Sequence, residues 1–222
     1  MTPELMFIVM IVLSLGTVLL FARLGKDWLI AVPAILLVLS NVFAPQLIKA
    51  FGLTTSLAVP MYAAIFLATD IIAEHYGVKE ARKVVWIGLA SQVMLLVVSQ
   101  MMIRTQVLPF SQSMHDALIT VFSFTPRLVL ASLVAYVISQ FHDVWAFHAW
   151  KRRTKGKHLW IRNNASTIVS QFIDTVIVVV IAFYGVLPGL IELILGIWIL
   201  KVIIALLDTP FMYLSGMVIK RA

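Results

Sequence analysis

A regularly spaced row of polar side chains lies within a long apolar segment of this sequence. Asn163, Thr167, Ser170 and Asp174 are separated by four, three and four residues, and the apolar run 176–183 follows them. Helical periodicity places all four on one face. A carboxylate at bilayer depth costs at least about 2.5 kcal/mol, so polar groups retained there indicate a binding cavity or a contact with another helix. The cavity interpretation predicts a transporter.

The composition predicts an integral membrane protein. Of 222 residues, 62% are hydrophobic and 12% are charged, which is far from the balance of a soluble domain. The ten-residue alternation of barrel strands is absent, so the predicted fold class is an all-α polytopic membrane protein. The net charge of +7 lies mostly beside apolar segments, and no nucleic-acid-binding module is found. Because cysteine is absent, disulfides and thiolate metal sites are excluded.

Seven apolar spans are predicted, at roughly 5–22, 28–49, 56–76, 82–103, 125–150, 161–184 and 189–218. The first span lacks the basic start and the cleavage site of a signal peptide, and is expected to remain as a helix. The longest loop, 104–124, is expected to carry a short amphipathic helix. Lysine and arginine residues concentrate in alternate loops, which predicts an outside N-terminus and a cytoplasmic C-terminus.

The third span combines acids with aromatic residues. Asp70 and Glu74 are one helical turn apart near the predicted cytoplasmic edge, and Tyr62 and Phe66 precede them. Asp70 is the deeper acid and the better binding candidate, whereas Glu74 has an alternative role at the headgroups or in charge pairing. Aromatic rings beside a carboxylate would suit a flat polar ligand.

The fifth span carries a second polar face. Tyr136 and Asp143 are seven residues apart, with Gln140 at the edge of the same face. Arg127 lies near the outer end of this span, and Glu192 of the seventh span is a candidate partner for it.

The seventh span carries Lys201 and Asp208, which share a face but lie about 10 Å apart along the axis. Lys201 could neutralise Asp174 or Asp208, which would make that acid structural rather than substrate-binding. The membrane region holds more acids than bases, so an acidic, cation-tolerant cavity is expected. No phosphate-binding loop, hydrolase elbow or zinc motif is present, and no cofactor or metal is predicted.

Taken in order, these stretches resemble the queuosine precursor transporter family, a vitamin uptake transporter type. The resemblance covers roughly residues 28–218. It rests on Phe66–Asp70 through Tyr76–Gly77, Thr125–Arg127, Ser139–Gln140 with Asp143, Trp160 with Arg162–Asn164, Ser166–Thr167, Ser170–Gln171 with Asp174–Thr175, and Lys201 with Asp208–Pro210. It implies a six-helix core at 28–222, similar to the substrate-binding components of energy-coupling vitamin importers, and an additional helix at 1–27.

The resemblance also implies a substrate class. Family members import 7-deazaguanine bases, such as the 7-cyano and 7-aminomethyl forms, for salvage into tRNA queuosine. The guanine-like edge of such a base has two donors and one acceptor, so Asp174 with Gln171 or Asn163 could bind it. The flat face could stack on Tyr62, Phe66 or Tyr136, and an aminomethyl group would suit a second acid, Asp70 or Asp143.

Several alternatives stay open at this stage. Alternating access could be coupled to protons at Asp174 or Asp70, or the chain could be the substrate-binding subunit of an ATP-driven importer and require partner subunits. A homodimer in the inner or plasma membrane is compatible with both. An intramembrane enzyme acting on lipid would need a pair such as His142 and Asp143, but adjacent helical residues point about 100° apart, which disfavours it.

Overall fold

The protein is a bundle of α-helices with one short β-hairpin. The computed structural model describes residues 2–123, 125–186 and 189–219. In chain order the elements are α1 (Pro3–Leu24), α2 (Lys26–Phe43), β1 (Leu47–Ala50), β2 (Leu53–Ser56), α3 (Val59–His75), α4 (Val78–Met102), α5 (Gln112–Phe122), α6 (Thr125–Arg153), α7 (Leu159–Phe183) and α8 (Leu190–Val218).

In the described part of the chain, six helices are long and apolar enough to cross a bilayer: α1, α2, α4, α6, α7 and α8. This confirms an all-α polytopic membrane protein. The third predicted span corresponds to α3, which has 17 residues and is therefore about 25 Å long. The count of seven crossings stays a prediction.

Helix α3 lies at the centre of the bundle. Every residue from Val59 to Ala73 is buried, and the helix contacts α1, α2, α4, α6, α7 and α8. Its apolar residues are distributed around the whole circumference, which is the pattern of a helix enclosed by others. Asp70, near its end, is therefore held inside protein rather than beside lipid.

The prediction that the second span continues to residue 49 is wrong. Helix α2 ends at Phe43, two residues before Pro45, and an antiparallel hairpin follows with Leu47 opposite Ser56. Proline disfavours helical geometry in the residue before it and donates no backbone hydrogen bond. The hairpin packs directly on α8, where a Cβ added to Gly196 would lie 2.5 Å from the Thr54 carbonyl oxygen.

The bundle has two distinct ends. The hairpin end comprises the hairpin, the C-termini of α2, α4 and α7 and the N-termini of α3, α6 and α8. The basic end comprises the opposite helix termini and their connections, where Lys26 and Lys83 both contact Glu80. Helix α5 confirms the amphipathic helix predicted between the fourth and fifth spans. It lies at the hairpin end, where Gln100 Nε2 donates to the Phe122 carbonyl at 3.1 Å.

Candidate functional site

A cavity of about 610 Å³, counted with its mouth, lies at the hairpin end. Helices α2, α3, α6, α7 and α8 and the hairpin all contribute to its walls. The deepest lining side chains form what we call the floor, which contains Tyr62, Asp174 and Lys201. The lining residues are Ser40, Asn41, Ala44, Leu47, Ser56, Ala58, Val59, Tyr62, Leu128, Ser132, Asp174, Thr175, Val178, Val179, Phe183, Ile197 and Lys201.

The Asp174 carboxylate is the centre of the floor. Lys201 Nζ lies 2.8 Å from Asp174 Oδ2. The hydroxyls of Tyr62 and Ser139 donate to Oδ1 at 2.6 and 3.2 Å. Lys201 also donates to Thr175 Oγ1 at 3.0 Å, and its ammonium lies 4.8 Å from the centre of the Tyr62 ring. Three helices therefore fix the position of one carboxylate.

The structure shows which acid Lys201 contacts. The sequence left Asp174 and Asp208 open as partners, and the structure pairs Lys201 with Asp174. Lys201 is 4% exposed and Asp174 is 1% exposed, so removing either member would leave the other charge buried without its partner. The pair also leaves the floor with no net charge.

The two amides predicted to assist Asp174 lie in different places. Gln171 is one turn away on α7, is buried, and has no hydrogen-bond partner for either side-chain amide atom among the described residues. Asn163 is eleven residues from Asp174, about 16 Å along the helix, and its Nδ2 donates to Asp208 Oδ1 at 2.8 Å. Gln171 alone is close enough to share a small ligand with Asp174.

A second polar region lies between the floor and the basic end. Asp70, Asp143 and Asp208, which we call the acid trio, are each at most 1% exposed. Asp143 and Asp208 both lie within electrostatic range of Asp70, so the three side chains form one cluster. Asp70 follows Tyr62 by eight residues and Asp208 follows Lys201 by seven, which places these two acids about 10 to 12 Å beyond the floor. Asp143 follows Ser139, which donates to Asp174, by four residues, so it lies about 6 Å beyond the floor.

Hydrogen bonds satisfy the acid trio incompletely. Thr167 Oγ1 donates to Asp70 Oδ2 at 3.2 Å. Ser166 and Ser170 lie beside Asp143 but donate to backbone carbonyls of α7. No described side chain is oriented to donate to either Asp143 oxygen, although Asp70 and Thr167 also lie within hydrogen-bonding range of it. One turn away, Gln140 Oε1 accepts from Thr69 at 3.3 Å. A polar interior of this kind suits groups that bind and release a proton or a ligand.

At the basic end, a buried arginine joins three parts of the chain. Arg162 is 2% exposed, and its Nη2 lies 2.7 Å from Glu74 Oε1 while its Nη1 donates to the Gly156 carbonyl at 3.0 Å. Its guanidinium stacks 5.5 Å from the centre of the Phe147 ring. Lys151 contacts Glu74 at 2.8 Å. We call Glu74, Lys151 and Arg162 the latch, because they connect α3, α6 and α7.

The sequence interpretation counted Arg162 among the basic residues that set topology and among those that carry the family resemblance, but it did not assign it a partner. The signal that could have identified it is its position, since it lies in the first turn of α7, immediately before the polar row that starts at Asn163.

The three aromatic residues predicted to stack on a ligand are not equivalent. Tyr62 lines the cavity, and Phe66 lies behind it with ring centroids 6.1 Å apart. Tyr136 is fully buried against Gly88 of α4, where an added Cβ would clash with its hydroxyl. Tyr62 is therefore the predicted aromatic residue that a ligand in the cavity would contact.

The predicted pair between Arg127 and Glu192 is not formed. Arg127 instead donates to the carbonyls of Ile181 and Tyr184 at 2.8 and 2.6 Å, and Glu192 is exposed. The last carbonyls of a helix lack intrahelical partners, so they attract a nearby guanidinium. Arg127 thereby caps α7 at the hairpin end.

The residues of the enzyme alternative do not pair. His142 Nδ1 lies 2.8 Å from Ser170 Oγ, and no hydrogen bond joins His142 to Asp143 in the described chain. Within residues 2–123, 125–186 and 189–219, no group of three or more histidine, aspartate or glutamate side chains is arranged to hold a metal ion.

Comparison with known proteins assigns the chain to a family. Residues 56–215, from the end of β2 to near the end of α8, match the family described as "Putative vitamin uptake transporter". The chain belongs to this family. The matched region includes every residue of the floor, the acid trio and the latch.

Three named relatives are similar to this family member. A "Probable queuosine precursor transporter" of Bacillus subtilis strain 168 is 36% identical over 88% of this chain and 87% of its own length. The "Queuosine precursor transporter" of Escherichia coli K12 is 25% identical over 71% and 68%. A Haemophilus influenzae relative is 30% identical over 54% and 48%. No solved structure matches the chain at a significant level.

Proposed function

We propose that this protein imports queuosine precursors, 7-deazaguanine bases, for salvage into tRNA. The observation that supports this proposal is the floor of the cavity, where a carboxylate and an ammonium lie side by side at 2.8 Å. The relatives that are named queuosine precursor transporters give the substrate class.

The floor matches the hydrogen-bonding edge of such a base. A guanine-like edge presents two neighbouring donors and a carbonyl acceptor. Tyr62, Ser139 and Lys201 occupy three of the about four acceptor sites of the Asp174 carboxylate, so Asp174 accepts one of the two donors, and the Lys201 ammonium donates to the carbonyl. The Tyr62 and Ser139 hydroxyls hold the carboxylate in place, and the Tyr62 ring offers a face for stacking. Gln171, one turn before Asp174 on α7 and beyond the residues that line the cavity, has unpaired amide atoms that supply a second set of donors and acceptors.

The path through the membrane follows from the two ends of the bundle. We place the hairpin end outside and the basic end in the cytoplasm, because lysine and arginine favour cytoplasmic loops. In this arrangement α3 also crosses the membrane, which brings the number of crossings to the predicted seven. Helix α1 is an addition to the six-helix core of residues 28–222, which resembles vitamin importer components. The cavity receives substrate from outside while the latch closes the cytoplasmic side. Alternating access then requires the contacts of Glu74 with Arg162 and Lys151 to break.

The acid trio provides a site for coupling. Buried carboxylates without basic partners are held neutral by protons or exchange them with water when the path opens. No donor in the described structure is oriented toward Asp143, although the hydroxyls of Ser166 and Ser170 lie beside it, so it is the member best placed to take up and release a proton. Coupling at the trio, rather than at Asp174, keeps proton transfer separate from substrate recognition.

The first experiment measures uptake in cells that cannot make the precursor. Cells expressing the protein receive low precursor concentrations, and queuosine in tRNA is quantified. The intact protein should restore queuosine and Asp174→Asn should not. Asp116→Asn is the matched control, because Asp116 is an exposed acid on α5. Queuosine restored by Asp174→Asn, or lost equally in Asp116→Asn with both variants present in the membrane, would contradict the assigned site.

A second experiment uses the purified protein in liposomes. Uptake by the isolated chain would exclude dependence on ATP-driven partner subunits, whereas uptake only with added subunits would support that alternative. An imposed inward proton gradient should accelerate uptake, and Asp143→Asn should remove this response while substrate binding persists. Uptake that ignores the gradient would exclude proton coupling.

A further inference from the structure

Two exposed arginines on neighbouring helices lie at the basic end of the bundle. Arg82 belongs to the second turn of α4, and Arg152 belongs to the last turn of α6. Neither guanidinium forms an ion pair with another described residue, whereas the adjacent Lys83 contacts Glu80 at 2.6 Å. Both arginines are therefore available to an anion from outside the chain.

His148 connects the two arginines in space. It precedes Arg152 by one turn of α6 and lies within electrostatic range of both Arg82 and Arg152, so side chains of α4 and α6 converge here. Its Nδ1 is buried without a hydrogen-bond partner among the described residues. The acid in range of His148, Glu74, already contacts two cations of the latch. The positive charge of the arginines is thus left without a carboxylate of its own.

Aromatic side chains lie next to these cations, on the side away from the basic end. Trp86 is one turn from Arg82 along α4, and Trp145 is about two turns from Arg152 along α6. Trp86 packs edge-to-face on Phe141 of α6 with ring centroids 5.6 Å apart. Both tryptophans are 58% exposed, so they face the bilayer rather than the interior of the bundle.

These six residues form one continuous surface, which we call the α4–α6 surface. Along α6 its members are spaced by four, three and four residues, so they share a helix face. Cations lie at the depth of the headgroups and aromatic rings lie at the depth of the adjoining acyl chains. The members are Arg82, Trp86, Phe141, Trp145, His148 and Arg152.

We propose that the α4–α6 surface binds an anionic phospholipid of the surrounding bilayer. Guanidinium groups bind a phosphate through paired charge-assisted hydrogen bonds, and basic pockets between membrane helices bind acidic headgroups. The exposed rings cover the upper part of an acyl chain, a contact that a free phosphate or an acidic soluble protein would not make. A zwitterionic lipid carries its own cation and gains less from the arginines. The proposal does not depend on which substrate the protein carries.

The first test counts lipids that remain bound to the purified protein. The protein is equilibrated in detergent with equal amounts of phosphatidylglycerol and phosphatidylcholine, and native mass spectrometry measures how much of each is retained. The intact protein should favour phosphatidylglycerol by about tenfold or more. Arg82→Gln and Arg152→Gln should each lower this ratio by about threefold to fivefold, the contribution of one cation near a headgroup. Arg23→Gln is the matched control, since it removes an exposed cation from α1 at the same end.

A second measurement leaves every charge in place. The protein is reconstituted in phosphatidylcholine with a small fraction of brominated phosphatidylglycerol or brominated phosphatidylcholine, and quenching of tryptophan fluorescence is compared. Brominated phosphatidylglycerol should quench the intact protein more strongly. Trp86→Phe and Trp145→Phe should each remove part of this difference. Trp28→Phe should not, although Trp28 of α2 is equally exposed at 57%.

Several outcomes would overturn the proposal. Equal retention of the two lipids by the intact protein would do so, as would a ratio that is unchanged in both Arg82→Gln and Arg152→Gln. An equal loss in Arg23→Gln would assign the preference to the general charge of the basic end. If the arginine variants do not reach the membrane, the quenching comparison decides. Equal quenching differences in Trp86→Phe, Trp145→Phe and Trp28→Phe would then exclude the α4–α6 surface.

Discussion

Lys201 Nζ lies 2.8 Å from Asp174 Oδ2, and the two side chains come from different helices and are both buried. The pair connects α7 with α8 at the deepest point of the cavity. In this position it can contribute both to the stability of the bundle and to recognition of a ligand. The two contributions make different predictions for single and double substitutions.

Replacing one member of this pair should destabilise the protein strongly. Lys201→Met leaves the Asp174 charge buried without its cation, so the free energy of unfolding should fall by about 3 to 5 kcal/mol. Asp174→Asn combined with Lys201→Met removes both charges and should recover much of this loss without restoring uptake. Thermal unfolding in detergent, measured beside uptake, tests both parts. Additive losses in the double variant would show that the two side chains do not interact.

The hairpin contact predicts a position-specific effect on α8. Gly196→Ala would place a Cβ 2.5 Å from the Thr54 carbonyl oxygen, so the hairpin or the helix must shift at a cost of about 1 to 3 kcal/mol. Gly216→Ala is the control on the same helix, because its nearest neighbour, His75 Cε1, would be 4.0 Å away. Unfolding temperatures measured in one detergent compare the two. Equal unfolding temperatures for the two variants would mean that the hairpin shifts away from the added Cβ without a measurable loss of stability.

A similar comparison tests the contact between α4 and α6. A Cβ at position 88 would clash with the hydroxyl of the buried Tyr136, so Gly88→Ala should lower stability by about 1 to 3 kcal/mol. Tyr136→Phe in the same chain removes the nearest atom and should restore part of the loss. Gly16→Ala of α1, where nothing lies within 4 Å, should be neutral or slightly stabilising. If Gly88→Ala leaves the stability unchanged, the Tyr136 hydroxyl does not lie against Gly88.

The latch predicts how accessible the interior is from the basic end. Glu74→Gln removes the charge that holds Arg162 and Lys151, so α3 and α7 should separate there more often. Because the chain has no cysteine, a single Ser166→Cys substitution reports on this motion through its maleimide labelling rate. Labelling should rise about threefold to tenfold in Glu74→Gln.

The control for the latch is Glu80→Gln, which removes contacts with Lys26 and Lys83 at the same end. Labelling in this variant should match that of Ser166→Cys alone. If Glu74→Gln and Glu80→Gln label at the same rate, the contacts of Glu74 do not close the path.

The sequence predicted most of the helices well because six of those described are long and apolar. It also predicted the polar row of α7, since helical periodicity assigns residues to a face. The end of the second span was placed six residues beyond the end of α2, because Leu47 and Ile48 continue the hydropathy of α2 although they belong to a strand. Hydropathy measures how apolar a segment is, and it does not distinguish a helix end from a hairpin packed on protein.

Partners across helices could not be predicted in the same way. Periodicity places Asp174 and Lys201 on faces of their own helices, but it does not fix how those helices are rotated against each other. Lys201 therefore had two candidate partners, and the candidate partner for Arg127 was Glu192 rather than the carbonyls that end α7. Arg162 was missed because a basic residue at a helix start also satisfies the topology rule.

The contact between Gly196 and Thr54 gives the hairpin a mechanical role. Lys201 lies five residues beyond Gly196 on α8, about 7.5 Å along one rigid rod. Since no side chain separates Gly196 from the hairpin backbone, a tilt of this rod carries Thr54 with it. A tilt of α8 that displaced Lys201 would therefore also move the hairpin residues Leu47 and Ser56, which line the cavity.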